Sequence, residues 1–259
     1  MNTLGARTDA SHDVAVTMPQ YQGPIPVPPA PTQGLRVYRY FPLIYGLEAL
    51  QTGVWKIGRM SELNDPFDCR PQFVNDGSQP DNFIDFVMEG WGLLSYSKRI
   101  TDPVIWSHYA DSHRGIALGF DFYDSAPSPV TYAQDKPILY AAEIVAVRES
   151  RRETAAAFVF RTGYLTKASS WAYEEEYRTF LQLHDCRMKG VHYFKALPIE
   201  NLSTVILGAR CAVTLSDIEG ILSNYKSGPL SATSRKCRMS KSSFKLELFN
   251  ALDEIDEVR

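Results

Sequence analysis

Strand-like runs recur along this chain at uneven intervals, interspersed with helical stripes but without a regular strand–helix–strand spacing. Leu35-Arg36-Val37-Tyr38-Arg39-Tyr40 alternates with period two until Pro42 removes a backbone donor. A helical stripe of Leu43, Leu47 and Leu50 follows, with Gly53 as its stop, and then Val54-Trp55-Lys56-Ile57 reads as a second strand. Gly115-Ile116-Ala117-Leu118-Gly119-Phe120 and Val205-Ile206-Leu207-Gly208 read as buried strands. Evenly spaced strand–helix–strand units would predict a doubly wound parallel sheet. This spacing predicts an α+β fold instead, a mixed and mostly antiparallel sheet with flanking helices.

The remaining elements follow from the same two periods. Phe83, Phe86, Val87 and Trp91 mark one face of a helix, and residues 93–97 and 138–140 are candidate strands. Trp106-Ser107-His108-Tyr109 reads as a short helix, and residues 143–160 as a longer one carrying Ile144, Val147, Phe158 and Val159. Tyr177-Arg178-Thr179-Phe180-Leu181-Gln182-Leu183 alternates as a strand should. Thr214 opens a helix with Leu215, Ile218, Ile221 and Leu222 on its apolar side, and Phe244-Lys245-Leu246-Glu247-Leu248 closes the sheet. Residues 1–33 form an expected disordered tail containing the polyproline tract Gly23-Pro24-Ile25-Pro26-Val27-Pro28-Pro29-Ala30-Pro31. Residues 34–250 make one α+β domain, and 251–259 an acidic tail.

A formal charge of -3, with both signs mixed, gives no basic stripe for nucleic acid. Cys69, Cys186, Cys211 and Cys237 are scattered, which suits reduced thiols better than a disulfide framework or a zinc site. With neither a signal-peptide pattern nor an apolar run of membrane length, the cytoplasm is the expected compartment, and a secreted effector the alternative. No phosphate loop, dinucleotide fingerprint, nucleophile elbow or H-E-x-x-H motif is present. His108 and His113 are five residues apart, on different sides of a helix, and make a poor metal pair.

One cluster stands out: Trp171-Ala172-Tyr173-Glu174-Glu175-Glu176-Tyr177-Arg178. A strand beginning near Glu174 would put Glu174, Glu176 and Arg178 on one face. Two carboxylates side by side need compensation from an arginine, a substrate hydroxyl or a developing cation. The plain alternative is a solvated charge run. Arg39, between two tyrosines, either pairs with a buried carboxylate or clamps a phosphate. Asn64-Asp65-Pro66-Phe67-Asp68 is rigid turn chemistry first and a ligand site second.

The order of these motifs resembles a bacterial family catalogued as domain of unknown function 2971. The likeness runs through Val37-Tyr38-Arg39-Tyr40, Asn64-Asp65-Pro66-Phe67-Asp68 and Trp106-Ser107-His108-Tyr109-Ala110, then Gly115 and Gly119-Phe120-Asp121. It continues through Thr166-Lys167, Trp171, Tyr173-Glu174-x-Glu176-Tyr177-Arg178 and Val205-Ile206-Leu207-Gly208. A weaker resemblance is to the ADP-ribosyltransferase fold, with Arg39 as the first-strand arginine and Glu174-x-Glu176 as the acidic pair. No Ser-Thr-Ser motif follows the second strand; Ser61 alone stands near that place. The second resemblance implies NAD as substrate, and a protein or nucleic-acid acceptor. It implies that Glu176 holds the ribose, Glu174 orients the acceptor, Arg39 holds the pyrophosphate, and Tyr40, Trp106 or Tyr109 stacks on nicotinamide. Ser61 and Arg178 would complete the NAD contacts. Such an activity would suit a toxin, an anti-phage protein or an effector. Two other readings stay open: a non-catalytic nucleotide- or protein-binding module, and a metal-dependent nuclease built on Asp65, Asp68, Glu174 and Glu176.

Overall fold

The computed structural model describes residues 34–74, 88–142, 160–196, 199–224 and 231–249. Both expected tails, the Phe83, Phe86 and Val87 stripe, and the body of the helix expected over 143–160 lie outside these residues.

β1 (Leu35–Phe41) ends where Pro42 supplies no ladder donor, and Pro42 caps α1 (Leu43–Thr52). Gly53, at φ 67, closes that helix by donating to the Ala49 carbonyl, and β2 (Val54–Arg59) follows directly. The chain then forms β3 (Gln72–Val74), β4 (Trp91–Ser97), α2 (Pro103–Tyr109) and β5 (Ile116–Phe122). Four short strands follow: β6 (Ser128–Pro129), β7 (Thr131–Ala133), β8 (Ile138–Tyr140) and β9 (Thr166–Ala168). β10 (Glu176–Gln182) leads to the hairpin of β11 (Arg187–Lys189) and β12 (His192–Ala196), and then to β13 (Leu202–Leu207). α3 (Leu215–Ser223), β14 (Thr233–Met239) and β15 (Leu246–Phe249) complete the described chain. α3 opens with a full capping box between Thr214 and Asp217, as a threonine before an apolar stripe predicts.

The large sheet runs β11-β12-β2-β4-β1-β5-β13-β14-β15, with β10 on the other edge of β4 and β6 beside β10. All its pairings are antiparallel except β13 with β14. The fold is therefore the expected α+β type with a mixed, mostly antiparallel sheet. β3 with β8 and β7 with β9 form two small parallel pairs.

β4 is the key strand. β10 follows one of its edges along the whole length. On the other edge β2 pairs at Gly92 and Leu93, whereas β1 pairs only at Ser97. A fork is left between β1 and β2, opposite the middle of β4. The register Tyr38–Ser97–Glu176 puts these three side chains on one face of the sheet. Val37, Arg39 and Phe41 belong to the other face, where Val37 and Phe41 join the main core with Trp55, Leu94, Tyr96, Phe120 and the apolar sides of α1 and α3. On the Glu176 face lie two smaller apolar clusters, one around Phe160, Tyr164 and Phe180, the other around Trp106 and Ile206.

Three expectations need correction. Trp91 opens β4 rather than ending a helix, and the strand expected from Glu174 starts at Glu176. The closing strand begins at Leu246, leaving Phe244 exposed before it.

Candidate functional site

Glu174 is the last residue of a 3-10 turn, Ser169–Glu174, not part of a strand. Glu175 takes the left-handed region at φ 43, which swings the chain into β10. Two bonds to the end of β4 and the residue after it secure this corner: the Ser97 hydroxyl donates to the Glu174 carbonyl at 2.5 Å, and the Lys98 amide donates to the Glu175 carbonyl at 3.2 Å. The corner, not strand alternation, carries Glu174 to the side of Glu176.

The 64–69 turn approaches the same place. The Asp65 carboxylate accepts from the Phe67 amide at 2.9 Å, the stiffening role its sequence predicts. Asp68 then points inward, and Cys69 follows at φ 55. Lys167 enters from β9 and Arg178 from β10. All four charged groups, Asp68, Lys167, Glu176 and Arg178, are buried, as is Glu174.

They form one continuous network. Arg178 donates to Glu176 through Nε (2.8 Å) and Nη2 (2.9 Å). Its outer edge donates to Asp68 through Nη1 (2.9 Å) and Nη2 (2.6 Å). Nη1 also donates to the Tyr164 carbonyl at 3.0 Å. The Lys167 ammonium donates to Glu174 (2.6 Å) and Glu176 (2.9 Å), with Asp68 at 3.8 Å. Tyr109, at the end of α2, donates to the other oxygen of Glu174 at 2.5 Å, while Asn64 donates to its hydroxyl at 3.3 Å. Burial alone would raise the Glu176 carboxyl, but Arg178 and Lys167 outweigh it and hold the group at about 2. Burial likewise opposes the charge on Lys167, and Glu176 and Glu174 overcome it, so its pKa is raised. Tyr109 is raised by burial and by the neighbouring Glu174.

A cavity of about 190 Å³ opens on this network. Its charged lining residues include Glu174, Glu176, Asp68 and Lys167, and Tyr38, Tyr40, Asn64, Ser97 and Tyr109 also line it. Five of the eight candidate residues from the sequence line it: Glu174, Glu176, Arg39, Tyr40 and Tyr109. Arg39 needs a correction all the same. Its position in β1 aims it to the opposite face from Glu176, into the fork between β1 and β2. There its guanidinium donates to the Ser95 carbonyl of β4 (3.2 Å) and the Lys56 carbonyl of β2 (3.3 Å). It also lies over the Phe41 and Trp55 rings, at 5.3 and 5.8 Å. Burial lowers its pKa, and among the described residues no carboxylate pairs with it. Arg39 thus closes a gap in the sheet instead of reaching across the cavity to the acidic pair.

The other three candidates lie elsewhere. Trp106 is fully buried, edge-on to Tyr40 at 5.1 Å, and its indole donates to the Ile100 carbonyl at 2.6 Å. Ser61 is exposed on the 3-10 turn Met60–Glu62, away from the cavity. Arg178 stands behind the carboxylates and does not line it. A nuclease metal also lacks room as proposed, because Lys167 and Arg178 occupy the space between Asp68, Glu174 and Glu176. Among the described residues no group of three or more His, Cys, Asp or Glu is arranged to hold a metal ion. Lys167 escaped the sequence reading as a functional residue. Its signal was present, since a lysine amid alternating strand residues and three nearby acids needs an explanation.

A sequence model of the family described as "Protein of unknown function (DUF2971)" matches residues 105–179. Over this stretch the chain resembles that family. The DUF2971 segment contains Tyr109, Lys167, Glu174, Glu176 and Arg178, and it leaves out Arg39 and Asp68. No curated protein and no solved structure matches the chain. Among the described residues no helix is long and apolar enough to cross a membrane.

Proposed function

We propose that the acidic cavity takes the nicotinamide–ribose end of NAD and cleaves the bond joining the two, passing ADP-ribose to an acceptor or to water. The observation that carries this reading is the pairing of Glu174 and Glu176 in the wall of one small cavity. Its size, about 190 Å³, lies below the roughly 300–1,000 Å³ of pockets that enclose a whole drug-sized ligand. Only one end of a dinucleotide fits.

Nicotinamide leaves with the bonding electron pair on its ring nitrogen, and the ribose carbon becomes cationic. Glu176, kept ionised by Arg178 and Lys167, presents fixed negative charge to that carbon. Glu174 has fewer donors on it, one hydroxyl and one ammonium, so it retains acceptor capacity for the incoming nucleophile and its proton. Lys167 holds the two carboxylates together and Tyr109 orients Glu174. Arg39 has no part in binding the diphosphate.

Label transfer from NAD carrying a radioactive adenylate tests this. The purified chain should label an acceptor or generate free ADP-ribose, and Glu174→Gln should cut the yield about a hundredfold.

A second reading is favoured by a specific observation. Every oxygen of Glu176 and Asp68 is engaged by Arg178 or Lys167, as in a network that holds a fold together. The chain would then be a binding module whose cavity recognises a nucleotide or a partner without chemistry. Tight NAD binding with no cleavage would select it.

A further inference from the structure

A second and larger cavity, about 400 Å³, lies behind the 65–71 turn. The turn divides the two spaces. Asp68 lines the first, while Phe67, Arg70 and Pro71 line the second, and Lys167 lines both. The opposite wall is Gln134-Asp135-Lys136-Pro137, the connection between β7 and β8.

Two features at its lip point to a ligand. Phe67 is 66% exposed, so a large apolar ring is left in water beside a cavity that could cover it. The Lys136 ammonium sits 5.3 Å from the centre of that ring and forms no ion pair among the described residues. Lys136 covers one face of the ring with no carboxylate among the described residues paired to it, and the exposed remainder of Phe67 beside that cation is the complement of a base that carries phosphate. Asp135 adds an acceptor suited to a ribose hydroxyl. The volume falls in the range of sites that enclose a nucleotide-sized ligand. We infer that this cavity is a nucleotide subsite for an adenosine diphosphate group, with the base on Phe67 and the diphosphate on Lys136. The choice of adenine rests on the NAD reading above. In the small acidic cavity Lys167 is taken up by carboxylates, and Arg39 is turned to the strand carbonyls of Ser95 and Lys56, so the diphosphate is left to be held elsewhere.

Isothermal titration of the full chain with ADP, adenosine and inorganic pyrophosphate tests the site, using wild type, Phe67→Ala and Lys136→Glu. Both side chains are exposed, and a thermal melt checks that the variants fold. ADP should bind wild type and lose at least tenfold in each variant, with adenosine indifferent to Lys136→Glu and pyrophosphate indifferent to Phe67→Ala. Absence of ADP binding, or equal affinity in all three proteins, overturns the inference. ADP binding that responds to both variants in a chain unable to cleave NAD upholds the subsite and removes the NAD reading. NAD cleavage whose KM ignores both variants does the reverse.

Discussion

Arg178 holds Glu176 side-on through bonds of 2.8 and 2.9 Å although only one residue separates them along β10. The same planar fork reaches Asp68 with its outer edge, so one guanidinium joins the 64–69 turn to the start of β10. The position of the whole acidic wall depends on that bridge.

Arg178→Leu should therefore lower the unfolding free energy by about 3–5 kcal/mol, because it strands two buried carboxylates with only Lys167 to share. Arg178→Lys should also destabilise the fold, since an ammonium cannot satisfy both carboxylates bidentately. Urea unfolding followed by tryptophan fluorescence measures both. A loss under 1 kcal/mol for the leucine variant would mean that the network does not hold the turn.

Glu176 titrates near 4.5 in an unfolded chain and at about 2 in the folded one. A depressed carboxyl stabilises the fold at pH above the unfolded value, and that contribution vanishes as pH falls through the folded one. Stability should drop by about 3 kcal/mol between pH 4.5 and 2 from this group alone. Glu176→Gln should flatten that acid limb in unfolding curves taken across the window. An unchanged limb would show that the carboxyl is not held down.

Arg39→Met separates two roles for the strand arginine. As a plug in the β1–β2 fork, Arg39 should cost about 1–3 kcal/mol when removed, since two carbonyls lose their donor. The KM for NAD should stay within threefold. A KM rising tenfold or more at unchanged stability would return Arg39 to the ligand.

Much of the scaffold was legible, and the reason is local. Pro42, Gly53 and Thr214 mark element ends through properties of their own backbone or side chain, and each does what it predicts. The face of Arg39 was legible in its parity with Val37 and Phe41, but only the register with β4 ties that parity to Glu176. Glu174 misled because its side-by-side placement with Glu176 comes from a left-handed residue at Glu175, which no alternation rule anticipates. The ion pairs that Asp68 and Lys167 make were not legible for another reason. Their partners lie far away in sequence or across a turn, and a buried ion network is a product of tertiary structure.

Gly115 tests the packing of that scaffold. A Cβ there would meet the Phe41 carbonyl oxygen at 2.1 Å, and backbone atoms cannot step aside as a side-chain tip can. Gly115→Ala should destabilise by about 2 kcal/mol or more, read as a lowered Tm. A variant that melts with wild type would show that β1 and the start of β5 are less closely packed than described.

Nicotinamide release from NAD by the purified chain, with wild type and Glu174→Gln assayed side by side, bears most directly on the proposed chemistry. Wild type should release nicotinamide, and Glu174→Gln should do so about a hundredfold more slowly in a variant that a thermal melt shows to be folded at the assay temperature. Release at an equal rate by both proteins, or by neither, would contradict the assignment of the acidic cavity to NAD cleavage.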